Sequence, residues 1–189
     1  MTRRKRSLFV VLLGLTLALS SCSDTLSPTE PDSPGEGRVL NVFLARQQTD
    51  VWCWAAVSEM VLGYYGRPVA QCQILSAWYQ ADCCTFALSC RTTAPLQVIQ
   101  QTLFAGGGLR SEITGPLSFP ALAAEIDAGR PVIAAYRGVS GHVVVMYGYD
   151  PNGFVYIHDP LYGSHRVPYG TTFSYFGQLF WSETIFHIG

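Results

Sequence analysis

The sequence predicts an α+β protein in which an N-terminal helical half is followed by an antiparallel β-sheet half, and three observations carry that expectation. Between positions 51 and 128 the apolar residues fall in long segments closed by glycine. After Gly129 the segments become short and rich in β-branched and aromatic residues. Between two of these, Asp150-Pro151-Asn152-Gly153 is a turn cluster that would join neighbouring strands as a hairpin.

Segment 51–65 is apolar with few breakers and meets glycine at 63 and 66, so it predicts a helix with a glycine stop. Segments 69–79 and 95–104 predict two more, with Gly106-Gly107-Gly108 expected as a hard break after the second. Segment 119–128 spaces alanines and a leucine for a fourth helix, closed by Gly129. Strands are expected over 131–136, 142–149 and 154–158, and 166–169 and 184–188 would close the sheet.

The 189 residues are 49% hydrophobic and 13% charged, with a net charge of −1. That composition excludes a disordered chain and suits one domain of ordinary size. Four of the twelve basic residues are Arg3, Arg4, Lys5 and Arg6, whereas from Cys22 onward eight arginines face thirteen acids. No basic patch remains for a phosphate backbone, so nucleic acid is not an expected partner.

The basic stretch ahead of the apolar run 8–19, then Leu19-Ser20-Ser21-Cys22, has the parts of a secretory signal. The run is too short to cross a bilayer, which takes about twenty residues. Leu-Ser-Ser-Cys resembles a bacterial lipobox, which makes Cys22 the expected lipidation site and 1–21 the signal peptide. Residues 22–38 are polar and rich in proline and glycine, as in a disordered tether. The folded domain is then 39–189. The expected location is the bacterial cell envelope, on the periplasmic or extracellular face through a lipid anchor in the membrane, or outside the cell if Cys22 is not lipidated.

Cys53 lies in Trp52-Cys53-Trp54-Ala55-Ala56, at the start of the first expected helix. Free N–H groups and partial positive charge at a helix N-terminus favour the thiolate, although a lone cysteine between tryptophans is more often core. His142 opens one expected strand and Asp159 ends the next. A symmetric hairpin centred near residue 151 sets 142 opposite 159 and brings imidazole and carboxylate together. A thiol nucleophile needs such a pair: the carboxylate fixes the tautomer and the ring carries the proton.

Gln47 six residues before Cys53 in QQTDVWCWAA, followed by GHVVVMYGYD and IHDP, resembles the papain-like cysteine peptidases, particularly the bacterial C39-like branch with its Trp-Cys-Trp-Ala-Ala signature. The resemblance covers about residues 41–160. It implies a papain-like fold, hydrolysis of peptide bonds in a peptide or protein substrate, and no cofactor or metal. It makes Cys53 the nucleophile, His142 the general base and acid, Asp159 the orienting residue and Gln47 the oxyanion-hole side chain, with Gln48 as second choice. Papain has asparagine where this chain has Asp159, and either side chain can orient an imidazole. A cell-wall amidase or acyltransferase on the same scaffold, or a catalytically silent binding module, are the competing readings.

Cys72, Cys83, Cys84 and Cys90 remain, and in an exported protein two disulfides are expected. Of the three pairings the adjacent Cys83–Cys84 is least favoured. Zinc is the rival, without a CxxC pair or a nearby histidine to support it. His158 alternates out of phase with Asp159 and should leave the other face of its strand. His165 and His187 read as structural or surface residues, and Trp78 and Trp181 as core.

Overall fold

The computed structural model describes residues 36–175 and 178–189, all within a unit that spans Asp32–Gly189. The expected signal peptide, Cys22 and the tether as far as residue 35 lie outside the described residues.

Helix α1 (Cys53–Tyr64) is apolar on nearly every side, and Trp54 through Ser58 and Met60 through Leu62 are all buried. A helix hydrophobic all round belongs in the middle of a core. It packs against α3 (Leu96–Gly107) and against the sheet strand β4 (Gly141–Tyr149), with α2 (Gln71–Tyr79) alongside. Helix α4 (Phe119–Asp127) has Ser118 as its N-cap, which accepts from the Ala121 N–H, with proline in the first turn. The expected break at Gly106 does not occur. α3 runs through Gly106 and Gly107 and stops at Gly108, whose φ of +72° is the left-handed cap. Gly106 and Gly107 stay helical where an added Cβ would lie 3.0 and 3.1 Å from the Leu62 side chain of α1, so glycine permits the close approach.

The sheet is antiparallel, in the order β2 (Glu112–Thr114), β8 (Leu179–Phe186), β3 (Val132–Gly138), β4, β5 (Phe154–Asp159), β6 (Gly163–Pro168). The two-residue strands β1 (Arg38–Val39) and β7 (Ser174–Tyr175) pair with β4 and β8. β1, β2 and β7 carry too few residues for a periodic signal, and the sequence reading omits them. β4 is buried almost throughout and forms the floor under α1.

The hairpin differs from the symmetric expectation. A bulge between Met146 and Gly148 shifts the register, and Val145 pairs with His158. Continued outward, that register sets Val144, not His142, opposite Asp159. His142 is therefore Asp159's diagonal neighbour on the same face, still within reach of a long side chain.

The cysteines pair as Cys72–Cys84 and Cys83–Cys90, leaving Cys53 as the free thiol among the described residues. The first bridge pins segment 80–92, which holds only a short 3₁₀ turn (Ala87–Cys90), to α2, and the second closes a loop within that segment. By loop closure each is worth about 2–3 kcal/mol. Trp181 is core, but Trp78 is not. It is 39% exposed, and its indole N–H donates to Oγ1 of the buried Thr102 on α3, because α2 covers the core on one side only.

β1 crosses β4 at Gly148, where an added Cβ would lie 2.9 Å from the Arg38 carbonyl and 3.1 Å from Val39 Cα. Gly148→Ala should push β1 away and destabilise the protein by about 1–3 kcal/mol. Urea unfolding would read this as a lower midpoint with little change in slope.

Candidate active site

Trp52 is the N-cap residue of α1 and Cys53 its first helical position, so the thiol sits where backbone N–H groups have no helical partner. The two tryptophans flanking it are almost fully buried. Their indole N–H groups donate to the carbonyls of Cys90 (3.0 Å) and Thr92 (3.1 Å), which anchors the start of α1 to the disulfide-bonded segment. Cys53 itself is only half-buried.

From the sheet side, β4 delivers His142 and β5 delivers Asp159. His142 Nε2 lies 3.0 Å from Asp159 Oδ1, and the same ring hydrogen-bonds the Cys53 side chain. With Nε2 committed to the carboxylate, Nδ1 is the nitrogen left for sulfur. Asp159 is 0% exposed. Its Oδ1 also accepts from the Leu161 N–H (2.6 Å) and the Tyr162 N–H (3.0 Å), so the buried charge is held by the loop as well as by the ring. Burial by itself would lower the His142 pKa. The hydrogen bonds to Asp159 and Cys53, with the charges behind them, outweigh burial and push it up to about 9. At neutral pH the ring is thus an imidazolium, able to stand against a thiolate and to give its proton to a leaving group.

His158 leaves the opposite face, as the alternation requires. Its Nε2 donates to the Val42 carbonyl (2.8 Å), its Nδ1 accepts from Ser164 Oγ (2.9 Å), and it stacks on Tyr147. Burial lowers its pKa against the opposing effect of the Val42 bond, which suits a neutral ring pinning the chain ahead of α1. His187 is half-exposed and sits beside Glu125 (3.1 Å), whose carboxylate also takes Arg130 in a bidentate pair.

Gln47 lies in the loop between β1 and α1. Its backbone N–H donates to the Pro160 carbonyl (3.0 Å), one residue past Asp159. Its side-chain Nε2 donates to the Thr49 carbonyl (2.8 Å), which leaves the second N–H of that amide for another acceptor. Its Oε1 is buried with no protein partner. Gln48 has an exposed side chain, and only its backbone is engaged.

Cys53 and His142 lie between two depressions. One, of about 460 Å³, has apolar walls that include Trp54, Leu96, Ile99 and Val143, with Arg137 and Glu183 paired at its edge. The other, of about 350 Å³, is bordered by Asp50, Leu161, Tyr162 and Leu179. Asp50 is held in a bidentate pair by Arg91. An extended chain crossing from one depression to the other passes the sulfur and the imidazole. The sequence reading assigns none of these residues to a cleft wall, because apolar residues of a cleft and of a core look alike in a single chain.

A thiol on a helix N-terminus facing a histidine–carboxylate pair on an antiparallel sheet defines a papain-like cysteine peptidase. The chain belongs to the Peptidase_C39 like family, whose model matches residues 39–184. Solved structures share the fold at low identity. A double glycine motif protease from an AMS/PCAT transporter, crystallised with a leader peptide, is 19% identical over 78% of this chain and 91% of its own, with a TM-score of 0.52. A putative C39-like peptidase from Bacillus anthracis is 17% identical over 80% and 97%, with a TM-score of 0.56. UfSP from C. elegans is 13% identical over 83% and 35%, with a TM-score of 0.55. No curated protein matches the chain.

The raised pKa of His142 sets an expected alkaline limit. Hydrolysis of a peptide amide should decline as pH rises through about 9, where the ring loses its proton. Asp159→Asn removes a charge that raises this pKa, so a pH–rate profile of the variant should show the limb moved to lower pH.

Proposed function

We propose that this cysteine peptidase hydrolyses peptide bonds through a Cys53–His142–Asp159 triad, with Gln47 and the backbone N–H of Cys53 stabilising the oxyanion. The observation that carries the reading is the position of His142, whose ring bonds both the free thiol and a fully buried carboxylate. The thiolate adds to the scissile carbonyl, and the developing oxyanion takes its hydrogen bonds from Gln47 and Cys53 N–H. One such donor is worth about 10²–10³ in rate. The imidazolium protonates the amine as the C–N bond breaks. His142, now neutral, then takes a proton from water, which attacks the thioester and releases the acid.

An apolar depression on one side of the sulfur supports peptide as the substrate, since it can hold a side chain next to the scissile bond. The double glycine motif protease, crystallised in complex with the leader peptide, is a fold relative that binds a peptide. The lipobox-like Leu19-Ser20-Ser21-Cys22 supports a mature protein that begins at a lipidated Cys22, anchored to the bacterial envelope by that lipid and spaced from the membrane by residues 22–38. Among the described residues no helix is long and apolar enough to cross a membrane.

Purified mature protein should cleave casein or a peptide amide near neutral pH and lose that activity on thiol alkylation. Cys53→Ala should abolish turnover and leave the circular dichroism spectrum unchanged, and turnover that survives it would remove Cys53 from the mechanism. Cleavage of peptidoglycan but not of protein would point to the cell-wall amidase, and catalytic silence with tight partner binding to the non-catalytic module. Separately, Cys22→Ser should shift the expressed protein from the membrane to the soluble fraction in a fractionation assay.

A further inference from the structure

Gln71, the first residue of α2, is 1% exposed, and its amide is fully used. Oε1 accepts from the Gln48 backbone N–H (3.0 Å). Nε2 donates one hydrogen to the Arg46 carbonyl (2.9 Å) and the other to Glu59 Oε2 (2.7 Å). Only this orientation of the amide satisfies all three partners, since a flip would face donor to donor and acceptor to acceptor. The two backbone groups lie on either side of Gln47, and Glu59 lies on α1, the helix that begins with Cys53. One buried side chain thus spans from the nucleophile's helix to both flanks of Gln47.

We propose that Gln71 is the positioning residue of the oxyanion side of this site, setting the distance between the Gln47 segment and α1. The proposal rests on the reading of Gln47 as an oxyanion donor. Segment 40–52 has no helix or strand ladder of its own, so its place must come from side chains and from neighbouring loops. The Gln47 N–H to Pro160 carbonyl bond holds the segment to the sheet half, and Gln71 holds it to the helical half. Gln71 is itself fixed by its neighbour in the chain, because Cys72 is bonded to Cys84. An oxyanion donor acts only at hydrogen-bond distance from a charge that exists in the transition state, so small displacements of Gln47 fall on kcat.

Gln71→Leu keeps the volume and removes all three bonds. The expected result is a fall in kcat of about 10- to 100-fold on a peptide amide with KM little changed, as for a misplacement on the order of 1 Å. Alkylation of Cys53 by iodoacetamide forms a thioether, expels iodide and builds no charge on a carbonyl oxygen, so its rate should stay within about twofold of the parent's. A second variant, Gln71→Glu, retains a buried polar side chain and sets a carboxylate against Glu59 and the Arg46 carbonyl. It should lose kcat similarly, and adding Glu59→Gln, whose amide can donate to the new carboxylate, should recover part of the loss. Both single variants keeping kcat within about twofold of the parent, or amide hydrolysis and alkylation falling by the same factor, would overturn the proposal. Full activity in Gln47→Ala would instead remove Gln47 from the oxyanion hole and overturn the reading beneath it.

Discussion

A carboxylate with no exposure to water must be surrounded by donors, and Asp159 meets that demand with groups from separate parts of the chain. His142 comes from the neighbouring strand, and the N–H groups of Leu161 and Tyr162 come from the loop after β5. Removing any one would leave part of a buried charge uncompensated, which is costly in a low-dielectric interior. The same constraint holds the imidazole in one orientation and raises its pKa against burial. The chemistry of the site and the stability of its sheet end therefore rest on one ion pair.

The thiol arrives from an independent frame. α1 is buried on nearly all sides, so it cannot shift without disturbing the core, and its first turn is also tied through the indoles of Trp52 and Trp54. Two rigid elements, one helical and one of sheet, thus meet at Cys53 and His142. The depressions on either side are lined by residues of both halves. A site on element ends supported by packed layers is held more closely than one carried on loops.

Loops supply the parts that neither layer can. Segment 40–52 carries Gln47, and segment 80–95 ends at the cleft with Thr93, Ala94 and Pro95; both have little regular structure. Each is fastened from outside itself. The first is held by Gln71, Pro160 and His158, and the second by the Cys72–Cys84 disulfide and by the tryptophan indoles, with Cys83–Cys90 closing a loop within it. Conformational entropy opposes both arrangements at about 1–2 kcal/mol per ordered residue, and the disulfides reduce that cost for the second by limiting what the unfolded chain can explore.

By itself, the sequence determined the α+β order, the four helices, the hairpin at Asp150–Gly153 and the residues able to carry thiol chemistry. These depend on local period, turn residues and side-chain type, which act over a few positions. Tertiary structure alone decided that α3 runs through Gly106 and Gly107, because a neighbouring Leu62 makes glycine useful inside that helix. It also decided that a bulge makes Asp159 a diagonal partner of His142, and that Cys72 pairs with Cys84 rather than with another of the four cysteines. Gln71 was invisible for the same reason. Its three partners lie 25, 23 and 12 positions away, and a buried amide shows its role only when distant backbone groups have been brought to it.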